Sequence, residues 1–202
     1  MTYVKFLMAA LSLILLSGCS STWATDYDAP LDNQTTKNWR ITSVEVIVPA
    51  ELTVSDANVY APNADIVWHG DVPGDRKQQV AKIVEAGVKR GAAPLRGGRA
   101  VTLVVQLQQF HAVTPKSVAR APAAVHNIKY TIQARDARSG AALTNAVQIE
   151  ANLPANVGQV AVAASTNGQG QKQRTTNHIA SVTAGWLGIG PDPRMEFRSL
   201  GR

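Results

Sequence analysis

The only cysteine among the 202 residues, Cys19, follows an apolar run and carries the clearest covalent chemistry in the chain. A thiol is a strong nucleophile once it ionises. The eleven mostly apolar residues from Phe6 to Leu16 lie before it and follow Lys5. A charged start and a short apolar core are typical of a secretory signal, whereas a membrane-spanning helix needs about 20 such residues. We therefore predict a signal peptide over residues 1–18, with a transmembrane anchor as the less favoured alternative.

The residues Leu16-Ser17-Gly18-Cys19 resemble the lipobox of bacterial lipoproteins. The resemblance implies that a signal peptidase cuts before Cys19 and that its sulfur carries a diacylglyceryl group. Several acyl chains would hold the protein stably at a membrane, because one chain alone binds only marginally. Ser20 stands where an Asp would resemble the inner-membrane retention signal, so the resemblance implies the periplasmic face of the outer membrane. The alternative is a free or buried cysteine after an uncleaved signal.

Catalytic motifs are missing from the sequence, which contains no G-x-S-x-G, no Walker loop and no H-E-x-x-H. The four histidines are scattered along the chain. His111 and His126 would lie close together if the strands that carry them pair across their loop, and such a pair is a candidate for metal binding. Because no third ligand is evident, ordinary strand-end histidines are the favoured interpretation. We predict a non-enzyme with no catalytic residue, no metal and no cofactor.

The charge of the chain is split between its two parts. Residues 19–75 carry two bases against nine acids, a net charge of −7, and residues 76–202 carry seventeen bases against five acids, a net charge of +12. Seven of these bases lie in or beside the first predicted helix, between residues 76 and 99. One interpretation is that the acidic segment folds against this basic helix. The other is that Lys82, Lys89 and Arg90 contact an anionic envelope glycan or lipid.

Nucleic acid is the usual partner of a basic protein, but it is not expected here. The signal peptide directs the chain away from nucleic acid, and no recognised motif interleaves aromatic residues with the bases. We predict instead a membrane contact through the N-terminal lipid and an envelope protein as the binding partner.

The hydrophobic periodicity predicts two helices and four main strands. The first helix, over residues 73–90, has an apolar stripe that we expect to pack inward. Residues 165–176 are a low-complexity stretch that we expect to be a mobile loop. The predicted strands cover residues 40–48, 99–111, 125–136 and 143–152, and the second helix covers residues 175–187.

This order predicts an α+β fold with a mostly antiparallel sheet of about four strands and two helices packed on one face. The order βαβββα resembles that of small envelope lipoproteins that serve in transport or outer-membrane assembly. We predict a lipidated N-terminus and flexible tether over residues 19–38, a single domain over 39–188 and a C-terminal tail over 189–202. A flexible tether of this length would span about 25 Å as a coil and about 65 Å when fully extended.

The loop 112–124, which contains Pro115, Lys116 and Arg120, is equally credible as a protruding contact site and as an exposed connector. We therefore predict a lipid-anchored, periplasm-facing accessory protein of envelope transport or assembly that acts through protein contacts. A binding module for an anionic glycan or lipid, using the basic region 76–99, is the alternative.

Overall fold

The structure, a computed structural model, describes residues 22–194 and 196–200. The predicted signal peptide and the predicted lipid-attachment residue Cys19 therefore lie outside the described residues. Five helices occur in the part of the chain that is described: α1 (Asn33–Thr36), α2 (Arg76–Ala92), α3 (Pro115–Arg120), α4 (Gly158–Thr166) and α5 (Gln171–Trp186).

Nine strands of the described residues form one mixed sheet. Their bounds are β1 (Thr22–Tyr27), β2 (Trp39–Ile47), β3 (Val54–Ser55), β4 (Ile66–Val67), β5 (Arg99–His111), β6 (Val125–Asp136), β7 (Val147–Ala151), β8 (Leu153–Pro154) and β9 (Arg198–Leu200). The main path through the sheet is β3-β4-β5-β6-β7-β1-β9, with β2 beside β5 and β8 beside β6. Strand β5 pairs in parallel with β2 and β4 and antiparallel with β6.

The class α+β is confirmed, but the prediction of a four-strand sheet with two helices is wrong. The sequence indicates short extended pieces at 52–54 and 66–68, where β3 and β4 lie, but they are too short to show a period and were not counted among the main strands. The two-residue strand β8 was missed for the same reason. The parallel pairing of β2 with β5 was also missed. Helix α2 lies between these strands in sequence and provides the crossover that parallel strands require. The predicted antiparallel run from β5 through β6 to β7 is confirmed.

Both long helices pack side by side on one face of the sheet. Helix α2 begins after Asp75, whose carboxylate accepts a hydrogen bond from the backbone N–H of Gln78 at 3.0 Å. The predicted apolar stripe of α2 is fully buried and meets the inward side chains of β5. The stripe consists of Val80, Ile83, Val84 and Val88, and the β5 side chains are Val101, Leu103, Val105 and Leu107.

Close contact between α2 and α5 depends on two glycines one turn apart in α2. A Cβ at Gly87 would lie 2.6 Å from Cγ2 of Ile179, and one at Gly91 would lie 2.8 Å from Cβ of Thr183 and would also clash with the carbonyl of Ala180. Glycine lets the two backbones approach at these positions.

We predicted a flexible tether over residues 19–38, but residues 22–38 are part of the fold. Strand β1 pairs with β7 on one side and with β9 on the other. The segment that follows is fixed by the N–H of Leu31, which donates to the carbonyl of Trp186 at 2.7 Å, and by the hydroxyl of Thr36, which donates to the carbonyl of Leu187 at 2.9 Å. The sequence TWATDY of β1 has no clear alternation, because its two ends pair with different strands.

The predicted C-terminal tail over residues 189–202 also contributes to the sheet, through β9. It is fixed further by Asp192, whose carboxylate accepts a hydrogen bond from the hydroxyl of Tyr27 at 2.8 Å. The Arg194 guanidinium lies 4.8 Å from the centre of the Tyr27 ring and donates to the carbonyl of Asp28 at 2.9 Å. The low-complexity stretch 165–176 is likewise not a loop throughout, because α5 begins at Gln171.

No helix in the described ranges combines the length and the apolar character that a membrane-spanning segment requires.

Candidate functional site

The three cations predicted to contact an anionic partner, Lys82, Lys89 and Arg90, are exposed on α2. Their hydrogen bonds stay within the two long helices. Lys82 donates to Gln78 at 3.3 Å, Lys89 pairs with Glu85 at 2.5 Å, and Arg90 contacts Asn177 of α5. These three side chains therefore form a cationic surface that does not pair with the acidic N-terminal part of the chain.

Pairing between the acidic segment and the basic part occurs elsewhere. Arg76 is only 6% exposed, and its Nε donates to Asp56 at 2.8 Å. Lys172 of α5 pairs with Asp71 at 2.7 Å. The acidic and basic parts of the chain therefore do contact each other at these two pairs. Neither pair involves Lys82, Lys89 or Arg90.

The suggested His111 and His126 pair is not formed. His111 of β5 pairs in register with Asn127 of β6, so His126 belongs to the next position and its side chain points to the other face of the sheet. His126 is completely buried on the helix side, whereas His111 is half-buried and lines a cleft. In the described residues no group of three histidine, cysteine or carboxylate side chains is arranged to hold a metal ion.

This open cleft has a volume of about 1140 Å³. It lies where β1 and β9 meet the ends of β5 and β6, and the loop 57–61 and the segment 113–124 form its outer walls. Its walls are mainly apolar, and the polar residues among them are His111, Ser117, Asn127, Arg198 and Ser199. The larger apolar and aromatic side chains are those of Trp23, Tyr60, Val113, Pro122 and Val125. Clefts of this size and character are typical of ligand or partner sites.

The outer wall of the cleft is held by a set of short hydrogen bonds. The hydroxyl of Thr114 donates to the carbonyl of Val59 at 2.7 Å, and the hydroxyl of Ser117 donates to the carbonyl of Tyr60 at 2.7 Å. The N–H of Lys116 donates to Asn58 at 2.7 Å, and its ammonium lies 4.7 Å from the centre of the Tyr60 ring. The segment 112–124, which the sequence left open between contact site and connector, therefore contains helix α3 and builds a wall of the cleft.

The polar side chains of the cleft are not arranged for nucleophilic catalysis. Ser117 is the candidate hydroxyl, but its oxygen is engaged with the Tyr60 carbonyl and with Thr114 at 3.2 Å, and the described part of the chain gives it no histidine partner. Burial holds the pKa of His111 below its ordinary value, so this imidazole is neutral at physiological pH. In the part of the chain that the structure describes, the Ser117 hydroxyl therefore lacks an imidazole that would take its proton.

A second region, the buried histidine cluster, lies on the other face of β6 and comprises His126, Arg174, Thr175 and His178. Its side chains come from β6 and from the first half of α5. Neither ring nitrogen of His126, the Nη1 of Arg174 nor the hydroxyl of Thr175 has a hydrogen-bond partner among the described residues. His178 is better satisfied, because its Nε2 lies 3.2 Å from the hydroxyl of Thr25.

Electrostatics within the buried histidine cluster keep both imidazoles neutral. Burial first, then the charges of Arg174 and His178, lower the pKa of His126 to about 3. Burial also lowers the pKa of His178 to about 4, against a hydrogen bond with the backbone of Asn152 that raises it. Desolvation lowers the pKa of Arg174 as well. A buried group without a partner costs about 1–3 kcal/mol, so this cluster reduces the stability of the fold.

Most residues of the cleft were missed by sequence reasoning, because they come from four separate stretches of the chain: position 23, 60–61, 111–127 and 198–199. Trp23 lies in the segment that was predicted to be a tether, and it is a cleft residue. The available signal was compositional: the segments 57–61 and 112–124 contain no Asp or Glu.

Comparisons with solved structures find distant likenesses, and three of them are as follows. A predicted lipoprotein from Caulobacter crescentus is 13% identical, with 79% of this chain and 97% of that chain covered and a TM-score of 0.36. A PelC dodecamer from Paraburkholderia phytofirmans is 12% identical, with 82% and 95% covered and a TM-score of 0.36. A DUF330 protein from Xanthomonas campestris is 12% identical, with 78% and 91% covered and a TM-score of 0.42.

A search of curated proteins finds no match to this chain. One protein-family model does match, and it covers residues 39–202, from the start of β2 to the C-terminus. The chain therefore belongs to the family of unknown function DUF6778.

Proposed function

We propose that this protein is a lipid-anchored, periplasm-facing envelope protein that acts by binding, as a non-enzymatic accessory in transport or assembly. The single observation that supports the anchor is the sequence Leu16-Ser17-Gly18-Cys19, and the cleft supports a binding role. A wide, mainly apolar cleft in which the Ser117 hydroxyl is engaged by the backbone favours the binding of an apolar segment over bond cleavage.

Intact-mass analysis of the envelope-bound protein tests the anchor. We expect a mature chain that starts at Cys19 and carries a diacylglyceryl group, and a Cys19→Ser variant that is released from membranes. An unmodified Cys19, or a chain that keeps residues 1–18, would contradict the proposal.

We assign the cleft to an apolar segment of an envelope protein, because its walls are apolar and aromatic and its rim carries no carboxylate. A photo-crosslinking residue at position 60 tests this assignment, with position 138 in the distant β6–β7 turn as the matched control. We expect a discrete protein adduct at position 60 that resists high salt, because burial of apolar surface is little affected by ionic screening. Equal adducts at both positions would overturn the assignment.

The second candidate is a binding module for an anionic glycan or lipid, and the exposure of Lys82, Lys89 and Arg90 favours it. Replacing these three with Gln tests it. Binding that falls steeply with salt and is lost in the triple variant would support this candidate, because exposed charges are screened over about 8–10 Å at physiological ionic strength. Binding that is unchanged in the triple variant would exclude it and leave the cleft as the site.

A further inference from the structure

The distance between the lipid and the folded body is short, and this follows from the position of β1. The sequence alone allows a tether of nineteen residues, yet β1 begins at Thr22, three residues after Cys19. Three residues span at most about 11 Å, since an extended chain covers about 3.3–3.6 Å per residue. If Cys19 carries the lipid, as the proposed function holds, the start of β1 lies within about one headgroup layer of the bilayer.

The part of the body next to this attachment point is the cleft end. Trp23, the second residue of β1, lines the cleft, and it pairs with Ser199 of β9, which lines it too. The cleft wall of α3 is in contact with α4, which buries none of its residues. The valines 160 and 162 of α4 are 64% and 67% exposed, and Tyr60 at the cleft is 54% exposed.

The charge of this end suits an anionic surface. The segments 57–61, 112–124 and 155–170 contain Lys116 and Arg120 and not one carboxylate. Exposed aliphatic and aromatic side chains that are accompanied by basic residues are the combination that interfacial helices use to bind anionic lipids. Each Lys or Arg near such a surface adds to the attraction.

We propose that the cleft end, formed by Trp23, the loop 57–61, α3 and α4, docks on the anionic lipid surface to which Cys19 is attached. The protein therefore stands with β1, α3 and α4 at the headgroups and with the β6–β7 turn directed away. The twelve residues of β6 separate the two ends by about 40 Å. A protein segment that enters the cleft then does so at the membrane surface.

Depth-dependent fluorescence quenching tests this orientation. The mature lipoprotein is reconstituted in vesicles of phosphatidylethanolamine and phosphatidylglycerol that contain brominated acyl chains. The difference in emission between the wild-type protein and Trp23→Phe gives the emission of Trp23. The other three tryptophans, Trp39, Trp68 and Trp186, are buried. We expect bromolipid to quench this component, and also the additional emission of Val160→Trp. The emission of Arg138→Trp, at the distant turn, is expected to be unchanged.

Charge reversal at the rim gives a second measurement. Lys116→Glu combined with Arg120→Glu should reduce the quenching of Trp at position 160 while the protein still floats with the vesicles. If the protein without substitutions fails to float with the vesicles, the proposed anchor, and with it the proposed function, is wrong. Flotation with equal quenching at positions 160 and 138 would overturn the orientation alone. Because both positions are exposed, neither variant depends on repacking the core.

Discussion

The two faces of β6 show how one strand supports two different environments. On the helix side, His126, Ile128, Tyr130 and Ile132 are buried under α2 and α5. On the other side, alternate residues of the same strand are half-exposed, and Val125 and Asn127 line the cleft. The comparison teaches that covering a polar group without giving it a partner is costly on either face. Both ring nitrogens of His126 and the Oδ1 of Asn127 are buried without a hydrogen-bond partner among the described residues.

Acid pH should have the largest effect on stability, and this effect should arise on the helix side of β6. His126 and His178 have folded pKa values of about 3 and about 4, below the ordinary 6.5, so their unfolded forms bind protons first. Stability is therefore fully present above pH 6.5 and is lost as pH falls toward 4. At pH 5 we expect a loss of about 4 kcal/mol from the two residues together, at about 1.36 kcal/mol per pH unit for each, and a larger loss below it. Urea unfolding at neutral and acid pH measures this loss.

The matched pair of variants for the acid effect is His126→Gln and His111→Gln. His126→Gln should reduce the pH dependence of the free energy of unfolding. His111→Gln, on the cleft side, should leave most of that pH dependence unchanged. Equal slopes in the two variants would show that the buried histidine cluster is not the origin of the acid sensitivity.

Overpacking of the helix layer should come next in size. Gly91→Ala places a methyl group against the Ala180 carbonyl and Thr183, and we expect a loss of about 1–3 kcal/mol. Gly98→Ala is the control, because a Cβ there meets nothing within 4 Å. Thermal unfolding compares the two, and a Gly98→Ala variant that is destabilised as much would contradict close helix packing as the cause.

A smaller and opposite effect is expected at Thr175. Its buried hydroxyl has no partner among the described residues, so Thr175→Val should raise the free energy of unfolding by about 1 kcal/mol. Thr183→Val serves as the control, because that hydroxyl donates to the Ile179 carbonyl at 2.8 Å. Denaturant unfolding compares the two variants. If both are less stable than the wild-type protein, the Thr175 hydroxyl has a hydrogen-bond partner and the prediction is wrong.

The smallest effect on stability should occur in the cleft. Ala123 is exposed there, so Ala123→Gln should change the free energy of unfolding by less than about 0.5 kcal/mol. The same change should reduce crosslinking at position 60, because the longer side chain narrows the cleft. A strong destabilisation would mean that this wall belongs to the core and not to a binding surface.

Much of the fold was predictable where the pattern is local. The stripe that begins at Val80 and the alternation that begins at Val101 identified α2 and β5, because burial on one face leaves a helical or twofold period in the sequence. Strand β1 could not be found in this way, since its residues pair with β7 and then with β9. The candidate site was less predictable, because the pairing of Trp23 with β9 and the packing of Tyr60 against α3 join segments far apart in the chain.

The sequence by itself determined the resemblance of residues 16–19 to a lipobox, the absence of carboxylates around Lys116 and Arg120, and the apolar stripe of α2. Each is a property of neighbouring residues, and local periodicity or composition is enough to read it. Only the tertiary structure decided that residues 22–38 join the fold and that His111 and His126 face opposite sides of the sheet. The reason is that strand register and long-range pairing depend on the whole set of partners, and a shift of one residue moves a side chain from one face to the other.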